Sequence, residues 1–110
     1  MVIETNSKEV KNIFNLYNSG NLNDAEFKAK KMIQEHRDSS VLLNVLGVIL
    51  NSKKKFDEAI KNFKKALDIN PNYAQAENNL GVMYQRINKY EESIFCYKNA
   101  IKLNQRKVKP

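Results

Sequence analysis

The chain has 110 residues, 42% hydrophobic and 28% charged, with a formal net charge of +7. This is one domain's length at ordinary soluble composition, and no window approaches the roughly 18 apolar residues of a membrane span. The start, MVIETNSKEV, has no basic segment leading into an apolar run, so no secretory signal is expected, and the lone Cys96 rules out an intrachain disulfide and favours a reducing, cytoplasmic setting.

The first predicted helices cover residues 7–18 and 22–36, parted by the turn signal Ser19-Gly20-Asn21. They are a degraded copy of a unit that is clearer downstream. Leu16, Leu22, Ala25 and Ile33 hold its apolar positions, while Asn12, Ile13, Ala29 and Met32 depart from it. Phe27 is expected to fill the gap left by Ala29. His36, the only histidine, falls in the last turn of its helix, where a cation suits the helix dipole.

The next pair is predicted over 40–52 and 56–69. Leu43, Leu46 and Leu50, then Phe56, Ile60, Phe63 and Leu67, recur at helical spacing on either side of the polar break NSKKK. Asn70-Pro71-Asn72 ends the pair, because proline cannot continue a helix. The third pair is predicted over 74–86 and 90–103. Overlaying 40–73 on 74–107 leaves ten of 34 positions identical, among them Leu46-Gly47-Val48 on Leu80-Gly81-Val82. A period of this length is typical of helical repeats. Asp57-Glu58 and Glu91-Glu92 open the second helices, where negative charge is favourable. Cys96 is in register with Asn62 and Lys28 and is expected on an outward face. Residues 104–110 read as a basic tail too short for a stable helix.

The pattern resembles the tetratricopeptide repeat. Leu46, Gly47 and Leu50 match on a first helix, Ala59, Phe63 and Ala66 on a second, and Pro71 closes the unit, with Leu43 in place of the usual aromatic. In the last copy Leu80, Gly81, Tyr84, Tyr97 and Ala100 match, while Glu77, Ser93 and Gln105 depart. The resemblance implies an all-α, right-handed α-solenoid of about six helices in one domain, 1–110, with a degenerate repeat at 6–39 and repeats at 40–73 and 74–107. Gly47 and Ala59 would be small because paired helices approach closely, and Phe63 would wedge between one pair and the next.

No catalytic set is legible. One His and one Cys cannot build a zinc cluster, and neither a Gly-rich phosphate loop nor a Ser–His–Asp set is present. The chain is therefore read as a non-enzyme without cofactor or metal. Residues 1–39 balance to zero charge and the excess lies downstream, carried almost wholly by Lys. Lys is a point charge without the fork that reads guanine edges, which leaves a basic nucleic-acid-binding scaffold as the least favoured of three functional readings.

The resemblance instead implies protein–protein interaction through a concave groove lined by the first helices. The groove positions are Val10 and Phe14, then Val41, Asn44, Val45, Val48 and Asn51, then Gln75, Asn78, Asn79, Val82 and Gln85, with Arg86 at the rim. Some family members clamp a peptide's C-terminal carboxylate. The matching positions here are Val10, Phe14, Val45, Gln75 and Asn79, so no carboxylate-clamped chaperone tail is expected. Asn79 stands where other members hold a peptide backbone. Bacterial proteins beginning with similar repeats often continue into a glycosyltransferase or sulfotransferase domain, and an acceptor-recruiting segment of such an enzyme is the alternative function. The last helix carries Ile94, Phe95 and Ile101, expected to be covered by a following repeat or by a second copy in a homodimer.

Overall fold

A computed structural model describes residues 7–107. Six α-helices and no strand run through them: α1 (Lys8–Asn18), α2 (Leu22–Glu35), α3 (Ser40–Ser52), α4 (Phe56–Ile69), α5 (Ala74–Arg86) and α6 (Tyr90–Lys107). The predicted boundaries agree closely except at the end. There α6 continues past 103 through Lys107, so the start of the expected tail is helical. The remainder of that tail, 108–110, lies outside the described residues.

Local chemistry sets the helix starts. The Ser7 hydroxyl accepts from the Val10 amide at 3.3 Å, and Ser39 accepts from Leu42 at 3.2 Å. Each satisfies an amide that the helix itself leaves unpaired. Asp57 and Glu58 lie in the first turn of α4, and Glu91 and Glu92 in that of α6.

The turn inside each hairpin repeats with the same period. Gly20, Lys54 and Asn88 take the left-handed conformation, with φ of 83°, 62° and 64°. The next amide then reaches five residues back: Asn21 to Leu16 at 2.9 Å, Lys55 to Leu50 at 2.9 Å, and Lys89 to Tyr84 at 2.8 Å. Glycine adopts that conformation freely, asparagine tolerates it, and lysine is strained by it. Between hairpins, the Asn72 amide bonds Asn70 Oδ1 at 3.2 Å, and the Tyr73 amide bonds the Asn70 carbonyl at 3.2 Å.

Helices pack in chain order, α1 on α2, α3 on α4 and α5 on α6, with α2 on α3 and α4 on α5 joining the hairpins. The first helices also lie side by side. Tyr17 Oη and Ser52 Oγ, 2.9 Å apart, tie α1 to α3, and Asn79 Nδ2 donates to Asn44 Oδ1 at 3.0 Å to tie α5 to α3. The result is an all-α helical repeat solenoid. Its core is continuous through Val10, Ile13, Leu42, Ile49, Leu50, Phe63 and Met83, all essentially without exposure. Burial of a side chain of this size contributes about 1.5–3 kcal/mol.

The first hairpin solves the same packing problem with volumes exchanged. Where the second has Gly47 and Phe63, the first has Ile13 and Ala29, and both are fully buried. The bulk comes from the first helix instead of the second. Phe27 therefore has no gap to fill, and it is 67% exposed, contrary to its expected role. One buried carboxylate binds this hairpin to the next. Glu26 on α2 accepts from Lys30 at 2.7 Å and from Lys53, with Lys55 at 3.6 Å. The hydrogen bond from Lys30, then that from Lys53, holds its pKa down at about 2.

Candidate functional site

Register mates Phe14, Val48 and Val82 run across α1, α3 and α5 at the 34-residue spacing. Phe14 is exposed, and both valines are half-buried. They form an apolar ladder along the layer that the first helices share. Asn51 lies one turn further along α3. Its Oδ1 is buried and finds no hydrogen-bond partner among the described residues.

Three expected groove residues face inward. Val10 is fully buried, and Asn44 and Val45 are buried. For Asn44 the reason is the neighbouring hairpin, which seals the flank that α3 turns toward it. The Asn44 Nδ2 donates to the Tyr73 hydroxyl at 3.3 Å, and Asn44 Oδ1 receives the Asn79 bond described above. Asn44 and Asn79 thus belong first to the seam between hairpins. Asn78, the register mate of Asn44, is exposed.

The remaining expected residues stay at the surface. Gln75, Asn78 and Arg86 are exposed, and Val41, Val48, Asn79 and Val82 are half-buried. Arg86 stands 5.9 Å from the centroid of the Phe56 ring, a cation–π contact near the hairpin turns. Val41, Gln75 and Asn78 line a cleft of ≈ 760 Å³ together with Tyr97, Ile101 and Asn104 of α6. The sequence places Ile101 on a separate open end, yet the fold joins it to the groove residues. Tyr97 and Asn104 carried no signal as lining residues. The Tyr97 hydroxyl is oriented by a bond to Gln85 Oε1 at 2.9 Å.

A second cleft, of ≈ 430 Å³, opens beside Phe95 and is lined by Glu77, Tyr84, Glu91, Glu92 and Cys96. Cys96 is buried, not outward-facing as its register with Asn62 and Lys28 had implied. α6 turns this position toward α5, where the Cys96 Cβ lies 3.3 Å from the point at which a Gly81 Cβ would stand. Burial, and after it the Glu77 carboxylate, pushes the thiol up to about 12. A thiol so held is almost wholly protonated and a poor nucleophile. Among the described residues no cluster of three or more His, Cys, Asp or Glu could hold a metal ion. No described helix is long and apolar enough to cross a membrane.

A family model described as TPR repeat matches residues 47–88, and one described as tetratricopeptide repeat matches residues 74–107. No curated protein matches the sequence. Among solved structures, MamA MSR-1 C2 is similar at 24% identity and a TM-score of 0.82, over 91% of this chain and 57% of that one. MamA 41-end from Desulfovibrio magneticus RS-1 is similar at 14% identity and a TM-score of 0.85, over 92% and 57%. The second TPR of Spaghetti (RPAP3), bound to the HSP90 peptide SRMEEVD, is similar at 17% identity and a TM-score of 0.82, over 86% and 88%. The chain thus spans a little over half the length of the MamA structures it matches.

Proposed function

Because the chain belongs to the tetratricopeptide-repeat family, we propose that it is a protein-interaction module that takes an extended peptide along the layer of α1, α3 and α5. The ladder of Phe14, Val48 and Val82 carries this reading. It offers an apolar strip at the pitch of the repeat. The similar solved domain that holds an HSP90 peptide supports the mode in general terms.

The ligand proposed here is not recognised by its terminal carboxylate. At the clamp positions stand Val10, Phe14, Val45, Gln75 and Asn79, with Val10 and Val45 inside the core. No cation is present in that set to hold an anion. Affinity would come from apolar contact and backbone hydrogen bonds, so it should depend weakly on salt.

The test is selection from a random peptide library on the folded chain, with the double variant V48K/V82K as counter-target. Peptides that bind the parent and are lost on the variant support the groove. Enrichment of peptides that bind both equally, or no enrichment, would refute it. Unchanged helical circular dichroism of the variant shows that the loss is one of surface.

A further inference from the structure

The two ends of the stack differ in chemistry. The helices α3 and α5 are buried at the same register positions, held by Leu42, Leu46 and Ile49 in α3 and by Ala76, Leu80 and Met83 in α5. In α1 these positions are Lys8, Asn12 and Asn15, all exposed. The α1 end is therefore closed to stacking, since seating it on another hairpin would bury a lysine and two amides without partners. At the opposite end, α6 leaves Ile94 53%, Phe95 67% and Ile101 56% exposed. Head-to-tail growth of the stack is disfavoured by the first face, while among the described residues nothing covers the second.

The charges on α6 select what covers it. Glu91 and Glu92 sit in its first turn, and Lys98, Lys102 and Arg106 follow along the helix. An antiparallel copy of the same helix presents the opposite order. Glu91 and Lys98 are equidistant from the midpoint between Ile94 and Phe95. A twofold axis at that midpoint sets Glu91 against Lys98 of the partner subunit and Ile94 against the partner subunit's Phe95, each contact occurring twice. The cleft beside Phe95, rimmed by Glu77, Glu91 and Glu92, gives the incoming basic half of the helix an acidic surface.

We infer that this chain forms a symmetric homodimer, tail to tail, by antiparallel pairing of α6 about Ile94 and Phe95. The contact is isologous and self-limiting, so it yields dimers and no longer assembly. Resting on one helix from each copy, it belongs with small, reversible interfaces. It leaves Phe14, Val48 and Val82 untouched.

The test is sedimentation velocity over about a hundred-fold range of concentration. The parent chain is expected to pass from monomer to dimer and no further. F95K, E91K and K98E are each expected to remain monomeric at concentrations where the parent is dimeric, with helical circular dichroism unchanged. An equimolar mixture of E91K and K98E restores both charge pairs, as Lys with Glu, and is expected to recover the dimer. A parent that stays monomeric throughout, a dimer indifferent to F95K, species larger than dimers, or a charge-swapped mixture that fails to pair would each overturn the inference.

Discussion

The ring of Phe63 occupies the space into which a side chain on Gly47 would grow. A β-carbon there would lie only 2.7 Å from both Cδ1 and Cζ of Phe63, well inside van der Waals contact. Phe63 is 1% exposed and enclosed by the core, so it has nowhere to retreat. Gly47→Ala should destabilise the fold by about 1–3 kcal/mol, the range for overpacking a tight interior. The register mate is the control. A β-carbon on Gly81 would meet Tyr97 at 2.9 Å, but that ring is half-buried and borders an open cleft. Gly81→Ala should cost clearly less in urea unfolding, and equal costs would contradict this account of the two sites.

The seam between hairpins makes a separable prediction. Asn44 is buried and bonded on both sides, to Tyr73 and to Asn79, whereas Asn78 at the equivalent position is exposed. Asn44→Ala should lower stability by about 1–2 kcal/mol, because it leaves buried groups unpaired. Asn78→Ala should fall within about 0.5 kcal/mol of the parent, as surface changes do. A double-mutant cycle between Asn44 and Asn79 should show coupling, and additivity would mean that their bond contributes nothing.

Glu26 ties stability to acid. Its pKa lies at about 2 in the folded chain against 4.5 for an ordinary glutamate, lowered mainly by the hydrogen bonds from Lys30 and Lys53. Because the folded value is the lower one, its contribution is complete above pH 4.5 and is lost as the pH falls toward about 2. The parent should lose stability across that window. Glu26→Gln should be less stable at neutral pH and should lack this part of the acid slope. Parallel pH profiles for parent and variant would show that the buried carboxylate is energetically idle.

Lys54 is the one strained link in the hairpin turns. It holds φ 62° where the first hairpin has Gly20. Lys54→Gly should raise stability by up to about 1 kcal/mol, after offsetting the greater freedom of glycine in the unfolded chain. Thermal unfolding would check it, and a fall in midpoint would show that the lysine side chain contributes something beyond backbone geometry.

Cys96 reports on opening of the structure. With its thiol pushed up to about 12 and buried, it should resist alkylation at neutral pH until the chain unfolds. The rate of labelling in increasing urea should follow the unfolding curve. Rapid labelling of the native chain would place the thiol at the surface.

Helix positions were legible because the apolar spacing and the break residues are local. Leu46, Phe63 and Ala66 repeat their roles at Leu80, Tyr97 and Ala100, and turn chemistry sits between them. Candidate surfaces were less legible. Val10, Asn44 and Val45 share a helix face with residues that remain outside, and only the neighbouring helix decides which are covered. Phe27 and Cys96 failed for a related reason. Register transfers a position from one repeat to the next, but it cannot transfer the volume of what lies across from it.

The period and its small and large residues dictated six helices in paired order, because a lone hairpin cannot hide its apolar stripe and must repeat to do so. Tertiary packing alone decided how the volumes of Ile13 and Ala29 exchange with those of Gly47 and Phe63. It also decided that Val41, Gln75 and Asn78 share a cleft with Ile101, and that the two ends of the stack are unlike. Those outcomes depend on distances between side chains far apart in the chain, and helical periodicity carries no information about them.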